Sequence, residues 1–67
     1  MTLAEAIKAV RDFLTTQQST FGIVFFREFM PFEFTICAYE IVPQPRLRTF
    51  RIEPATDEPY CWQMKEV

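Results

Sequence analysis

Residues 20–42, TFGIVFFREFMPFEFTICAYEIV, carry six of the chain's eight phenylalanines and limit what every other segment can do. β-Branched and aromatic residues dominate on both sides of Met30-Pro31, so the stretch reads as two strands folded back on each other there. In the first strand, Thr20 to Phe29, both parities are partly apolar: Phe21, Ile23, Phe25 and Phe29 against Gly22, Val24 and Phe26. Parity alone does not say which set is inside. The second strand, Phe32 to Val42, is clearer. Phe32, Phe34, Ile36, Ala38 and Val42 share a face with Glu40, and that face reads as core. A turn of even length pairs Phe25 with Ile36, Ile23 with Ala38 and Gly22 with Tyr39, where the ring is placed to cover the glycine. A three-residue loop instead brings Phe26 against Ile36. The even turn gathers more large apolar groups inside and is the register expected here, although a slip of one residue turns a whole strand over.

The remaining segments cover or extend this hairpin. Residues 2–18 form an amphipathic helix. Thr2 and Glu5 match a capping box, and Leu3, Ile7, Val10 and Leu14 make one apolar stripe, widened by Ala6 and Phe13. Pro43-Gln44-Pro45 ends the second strand. A third strand, Arg46 to Glu53, folds back beside it, with Ala38 expected opposite Phe50, Ile36 opposite Ile52 and Glu40 opposite Arg48. The loop from Pro54 to Pro59 leads to a fourth strand, Tyr60 to Glu66, with Trp62 expected opposite Phe50 and Glu66 opposite Arg46. The expected fold is α+β over residues 1–67: a single domain with an N-terminal helix packed on one face of a four-stranded antiparallel meander, α-β-β-β-β in two layers.

Composition bears on function mainly by exclusion. The chain has no His, one Gly and a formal net charge of −2. That leaves no Ser/His or Cys/His pair, no glycine-rich phosphate loop and no broad field for nucleic acid or anionic membrane. Cys37 and Cys61 sit in no zinc-binding spacing, so no catalytic residue, metal or cofactor is expected. No apolar run spans a bilayer and no signal peptide is legible, so a cytoplasmic location is the default.

One helix covers one face of a sheet. The other face is expected to hold Val24, Phe26, Cys37, Tyr39, Ile41 and Leu47, with Arg51 at its margin, an apolar cluster of the kind that marks association surfaces. Both cysteines are expected on it as thiols about 9–10 Å apart, beyond disulfide reach, with Arg51 between them. Glu28 and Glu33, facing each other at the hairpin tip, and Asp57 and Glu58 at the opposite end offer acidic contacts to a basic partner. These features point to a small non-enzymatic module that binds another protein, or a second copy of itself, by occluding a surface. An inhibitor, an immunity-type protein or a minor subunit fits, including a phage- or plasmid-type inhibitor of a host nucleic-acid enzyme. The alternative is single-stranded nucleic-acid binding through Arg46, Arg48, Phe50 and Arg51, where arginines flank an aromatic on one strand.

Overall fold

The structure, a computed structural model, describes residues 1–29, 33–55 and 61–67. The expected turn at Met30-Pro31, the strand ends at Phe32 and Tyr60, and the acidic residues Asp57 and Glu58 lie outside the described residues. A helix α1 (Leu3–Thr16) precedes four strands: β1 (Thr20–Phe29), β2 (Glu33–Val42), β3 (Arg46–Pro54) and β4 (Trp62–Glu66). They pair antiparallel in the order β1-β2-β3-β4. This is the α-β-β-β-β arrangement that the periodicity implies, with the helix on one face of the sheet.

The capping box starts α1 as its residues dictate. The Glu5 amide donates to the Thr2 hydroxyl at 3.2 Å, and the Thr2 amide donates to the Glu5 carboxylate at 2.8 Å. The helix stops because Gln18 turns left-handed, at φ 58°. Its amide then reaches Thr15 O at 2.9 Å, and the Ser19 amide reaches Leu14 O at 3.0 Å. Those two bonds make a Schellman motif, with glutamine at the position glycine usually holds.

Ala6, Val10 and Leu14 of α1 bury themselves against Phe34, Ile36 and Ala38 of β2 and Phe50 and Ile52 of β3. Phe13 meets Phe50 edge-on, centroids 5.6 Å apart, and Trp62 closes over Phe34 at 6.0 Å. Each buried aliphatic side chain contributes about 1.5–3 kcal/mol by leaving water. A helix of 14 residues is about 21 Å long, whereas a ten-residue strand runs about 33 Å. Within the hairpin β2 stays buried as far as Phe34, and only its edge neighbour β1 lacks cover. Only Phe21 and Ile23 of β1 are partly buried against the core, and every residue from Val24 to Phe29 is exposed.

Three registers differ from expectation. Along β1–β2 the even register holds only near the helix, where Phe21, Gly22 and Ile23 pair with Glu40, Tyr39 and Ala38. Val24 is then left out of the pairing as a bulge. Beyond it Phe25 pairs with Cys37, Phe26 with Ile36, Arg27 with Thr35, Glu28 with Phe34 and Phe29 with Glu33. Phe25, expected under the helix, is thus on the open face, and Phe26, expected on the open face, is on the helix side. Gly22 does pair with Tyr39, but no atom lies within 4 Å of where a Cβ would stand, so the ring does not cover it.

Between β2 and β3 the pairing is two residues away from the one expected. Phe34 faces Ile52, Ile36 faces Phe50, Ala38 faces Arg48 and Glu40 faces Arg46. Pro43 and Pro45 have no amide to donate, so tight closure around them gives way to a longer connection that leaves Ile41 and Val42 beyond the last β2–β3 pair. Between β3 and β4 the difference is four residues. Phe50 faces Glu66, Ile52 faces Met64 and Pro54 faces Trp62, in place of Trp62 opposite Phe50 and Glu66 opposite Arg46.

Candidate functional site

Three of the chain's arginines, Arg46, Arg48 and Arg51, lie on β3. Arg48 and Glu40 are buried, at 6% and 1% exposure, on the helix side near the end of α1. The opposing residue Ala38 is small and leaves room for the guanidinium. Arg48 reaches diagonally both ways across the sheet. It donates to Glu66 through Nε at 2.8 Å and Nη2 at 2.7 Å, to Glu40 through Nη1 at 3.0 Å, and to the Gln17 side-chain Oε1 at 2.9 Å. Glu40 also accepts from Ser19 Oγ at 2.7 Å and from Arg46 Nε at 2.8 Å. The Ser19 hydroxyl, followed by Arg46, holds the Glu40 carboxyl down at about 2, against the desolvation that opposes it. Arg48 likewise keeps Glu66 below the usual carboxylate range, and Glu66 raises Arg48. Among the described residues, no buried side-chain polar atom lacks a partner. Phe50 is 1% exposed beneath Phe13 and so offers no ring face to a base. Arg46, Arg48 and Phe50 are therefore brought together on the helix side as a neutralised cluster and a core aromatic, while Arg51 stands on the opposite face beside Glu33.

The open face divides into two halves. Toward the β2–β3 connection it is apolar. Phe25, Cys37 and Thr49 form one row across the strands, and Gly22, Tyr39 and Leu47 form the next. Val24, in the bulge, and Ile41, past the last β2–β3 pair, flank them. Tyr39, Ile41 and Leu47 are 43%, 56% and 60% exposed, and no described element covers them. The Cys37 sulfur lies 3.5 Å from the Thr49 hydroxyl. Toward the other end the face is charged. Arg27, Thr35, Arg51 and Lys65 share one row. Arg51 is 3.5 Å from Glu33, and Lys65 is 3.4 Å from Glu53. The Arg27 guanidinium sits 4.2 Å from the centre of the Phe29 ring.

Of the residues expected to bind a partner, Cys37, Tyr39 and Leu47 do share this face, and Val24 and Ile41 are exposed at its margin. Phe26 does not belong to it, and Phe25 takes its place. Arg51 belongs to the charged half, paired with Glu33, and does not stand between two cysteines. The four-residue difference in β4 puts Cys61 beyond Trp62, where its carbonyl accepts from Ala55, about 20 Å along the sheet from Cys37. Glu28 and Glu33 pair with Phe34 and Phe29, so they point to opposite faces. Pro54 and Trp62, the last described pair of β3 and β4, stand at the same end of the sheet as Phe29 and Glu33. Phe25, Phe29 and Arg27 were missed as surface residues. The available signal was the Phe25-Phe26 pair itself, which gives β1 two apolar faces.

Among the described residues there is no pocket, and no group of three or more potential metal ligands comes together. No described helix is long and apolar enough to cross a membrane. No family model, curated protein or solved structure matches the chain.

Proposed function

We propose that the chain is a non-enzymatic protein-binding module that acts by occluding a surface of its partner with the open face of its sheet. One observation carries this reading. Phe25, Tyr39 and Leu47 stand on adjacent rows of a sheet whose other face is already occupied by α1, and they remain exposed. A solvated sheet face ordinarily alternates to polar residues, and a contiguous apolar set on a small domain is typical of association surfaces. The neighbouring charged half suits the role of a polar rim, because Glu33, Glu53, Arg51 and Lys65 are already paired and would need little reorganisation on docking. Acidic attraction to a basic partner is less well supported, since Glu33 and Glu53 are held by cations of the same face.

The test compares capture by the wild-type chain with capture by Tyr39→Asp and Leu47→Asp, using lysate of the native cell and quantitative mass spectrometry. Both residues are exposed and outside the core, so the variants should keep the wild-type circular dichroism. A protein held by the wild type and released by both variants supports the reading. Identical capture profiles for all three sink it. The nucleic-acid alternative predicts salt-dependent binding of labelled single strands that is weakened by Arg51→Ala.

A further inference from the structure

The open face does not account for β1. This strand is an edge of the sheet, and every residue from Val24 to Phe29 is exposed. Phe25 is 51% exposed on the open face, and its neighbour Phe26 is 52% exposed on the helix side, at the edge of the sheet. A partner lying on one face can cover only one of these rings. A strand added alongside β1 packs against both and pairs the outward amides and carbonyls of the edge.

We propose that this added strand is β1 of a second copy, running antiparallel about a two-fold axis through Phe26. A two-fold that joins two such edges stands perpendicular to the sheet, so one residue must face itself and both helices lie on the same side. The sequence discriminates among the centres available. An axis at Arg27 sets two arginines directly opposite, and one at Glu28 sets two carboxylates opposite, both destabilising. An axis at Phe25 leaves Arg27 against Ile23. An axis at Phe26 sets ring against ring at the centre and places Arg27 of each copy opposite Phe25 of the other, twice. Arg27 already lies over Phe29, and among the described residues it makes no ion pair, unlike Arg46, Arg48 and Arg51. The pairing thus puts the Arg27 guanidinium between two aromatic rings. The bulge at Val24 ends the regular pleat, so the paired segment is short and belongs to the weak, small class of interface.

The edge and the open face share Phe25 but not Phe26 or Tyr39, and substitutions at those two tell them apart. Sedimentation velocity of the full chain, up to about 1 mM so that a weak interface is populated, should show a monomer–dimer equilibrium. Phe26→Lys should shift it to monomer by setting two ammonium groups face to face, and Tyr39→Asp should leave it unchanged. In a Cys37→Ala, Cys61→Ser background, Phe26→Cys should oxidise to a covalent dimer. Residues directly opposite have Cα atoms about 4.5–5.5 Å apart, inside disulfide reach. Phe25→Cys in the same background should not cross-link. A monomer over the whole range overturns the proposal. So does a dimer broken by Tyr39→Asp and not by Phe26→Lys, or cross-linking at Phe25 in preference to Phe26.

Discussion

Replacing Arg48 by methionine tests whether the buried ion cluster is as dry as its geometry states. The change keeps the aliphatic stem and deletes four donated hydrogen bonds: two to Glu66, one to Glu40 and one to Gln17. Losing one partner of a buried pair costs about 3–5 kcal/mol, because the other charge is stranded. Here Glu40 still accepts from Ser19 and Arg46, and Glu66 and Gln17 turn to water. The loss should therefore fall at the lower end, about 3 kcal/mol. At roughly 0.05–0.15 kcal/mol per residue the whole fold is stable by only about 3–10 kcal/mol, so this loss removes roughly a third of it at the upper end and all of it at the lower. Urea titration followed by Trp62 fluorescence and far-ultraviolet circular dichroism reads this directly. With a slope near 1 kcal/mol per molar for a chain this short, the midpoint should fall by about 3 M. The double variant Arg48→Met, Glu40→Leu removes the stranded carboxylate and should recover most of the loss. A single-variant cost under about 1 kcal/mol, the size of an exposed pair, would refute the reasoning. The acid limb gives a second check. The Glu40 carboxyl is held down at about 2 in the fold, so its contribution is complete above the usual carboxylate range and disappears as pH falls toward 2. Glu40→Gln should make stability less dependent on pH between about 5 and 2.

Two simpler substitutions act on the backbone. Gln18→Gly should raise stability by about 1 kcal/mol in the same urea assay, because a left-handed residue with a Cβ costs about 1–2 kcal/mol and glycine gives part of this back in chain entropy. A decrease would mean that Gln18 leaves the left-handed region in solution. Gly22→Thr should add about 0.5–1 kcal/mol, since the position is an exposed strand site with a negative φ and open space around the new Cβ. A loss there would show that something does pack over Gly22.

The helix and the strands were legible in the sequence because each carries its own signal: a capping box, an apolar stripe, and alternation bounded by prolines. The facing of β2, β3 and β4 was legible too. Their pairing was not, for a definite reason. The differences of two and four residues are even, so every side chain keeps its face and the hydrophobic pattern cannot detect them. The pairing of Glu40 with Arg48 misled in the same way. The contact exists, but it runs diagonally across the Ala38 row, and long side chains make such contacts from more than one register. The β1 pattern failed differently. An odd change of register inside a strand needs an unpaired residue, and nothing in Ile23-Val24-Phe25 marks Val24 as that residue. Phe26 was therefore assigned to the candidate surface where Phe25 belongs.

The bulge at Val24 also has a consequence for how this chain tolerates change. It separates the β1–β2 hairpin into a base and an arm with independent phase. In the base, Phe21 and Ile23 answer to the helix, and a substitution there is felt by the core. In the arm, 25–29 against 33–37, only β2 contributes to the core, through Phe34 and Ile36. The β1 side of the arm can change its chemistry residue by residue at little cost to the fold. Removing Val24 itself would bring Ile23 and Phe25 into consecutive pairing with Ala38 and Cys37 and leave each on its present face. The most apolar stretch of the chain is thus also one of the least constrained by its own fold.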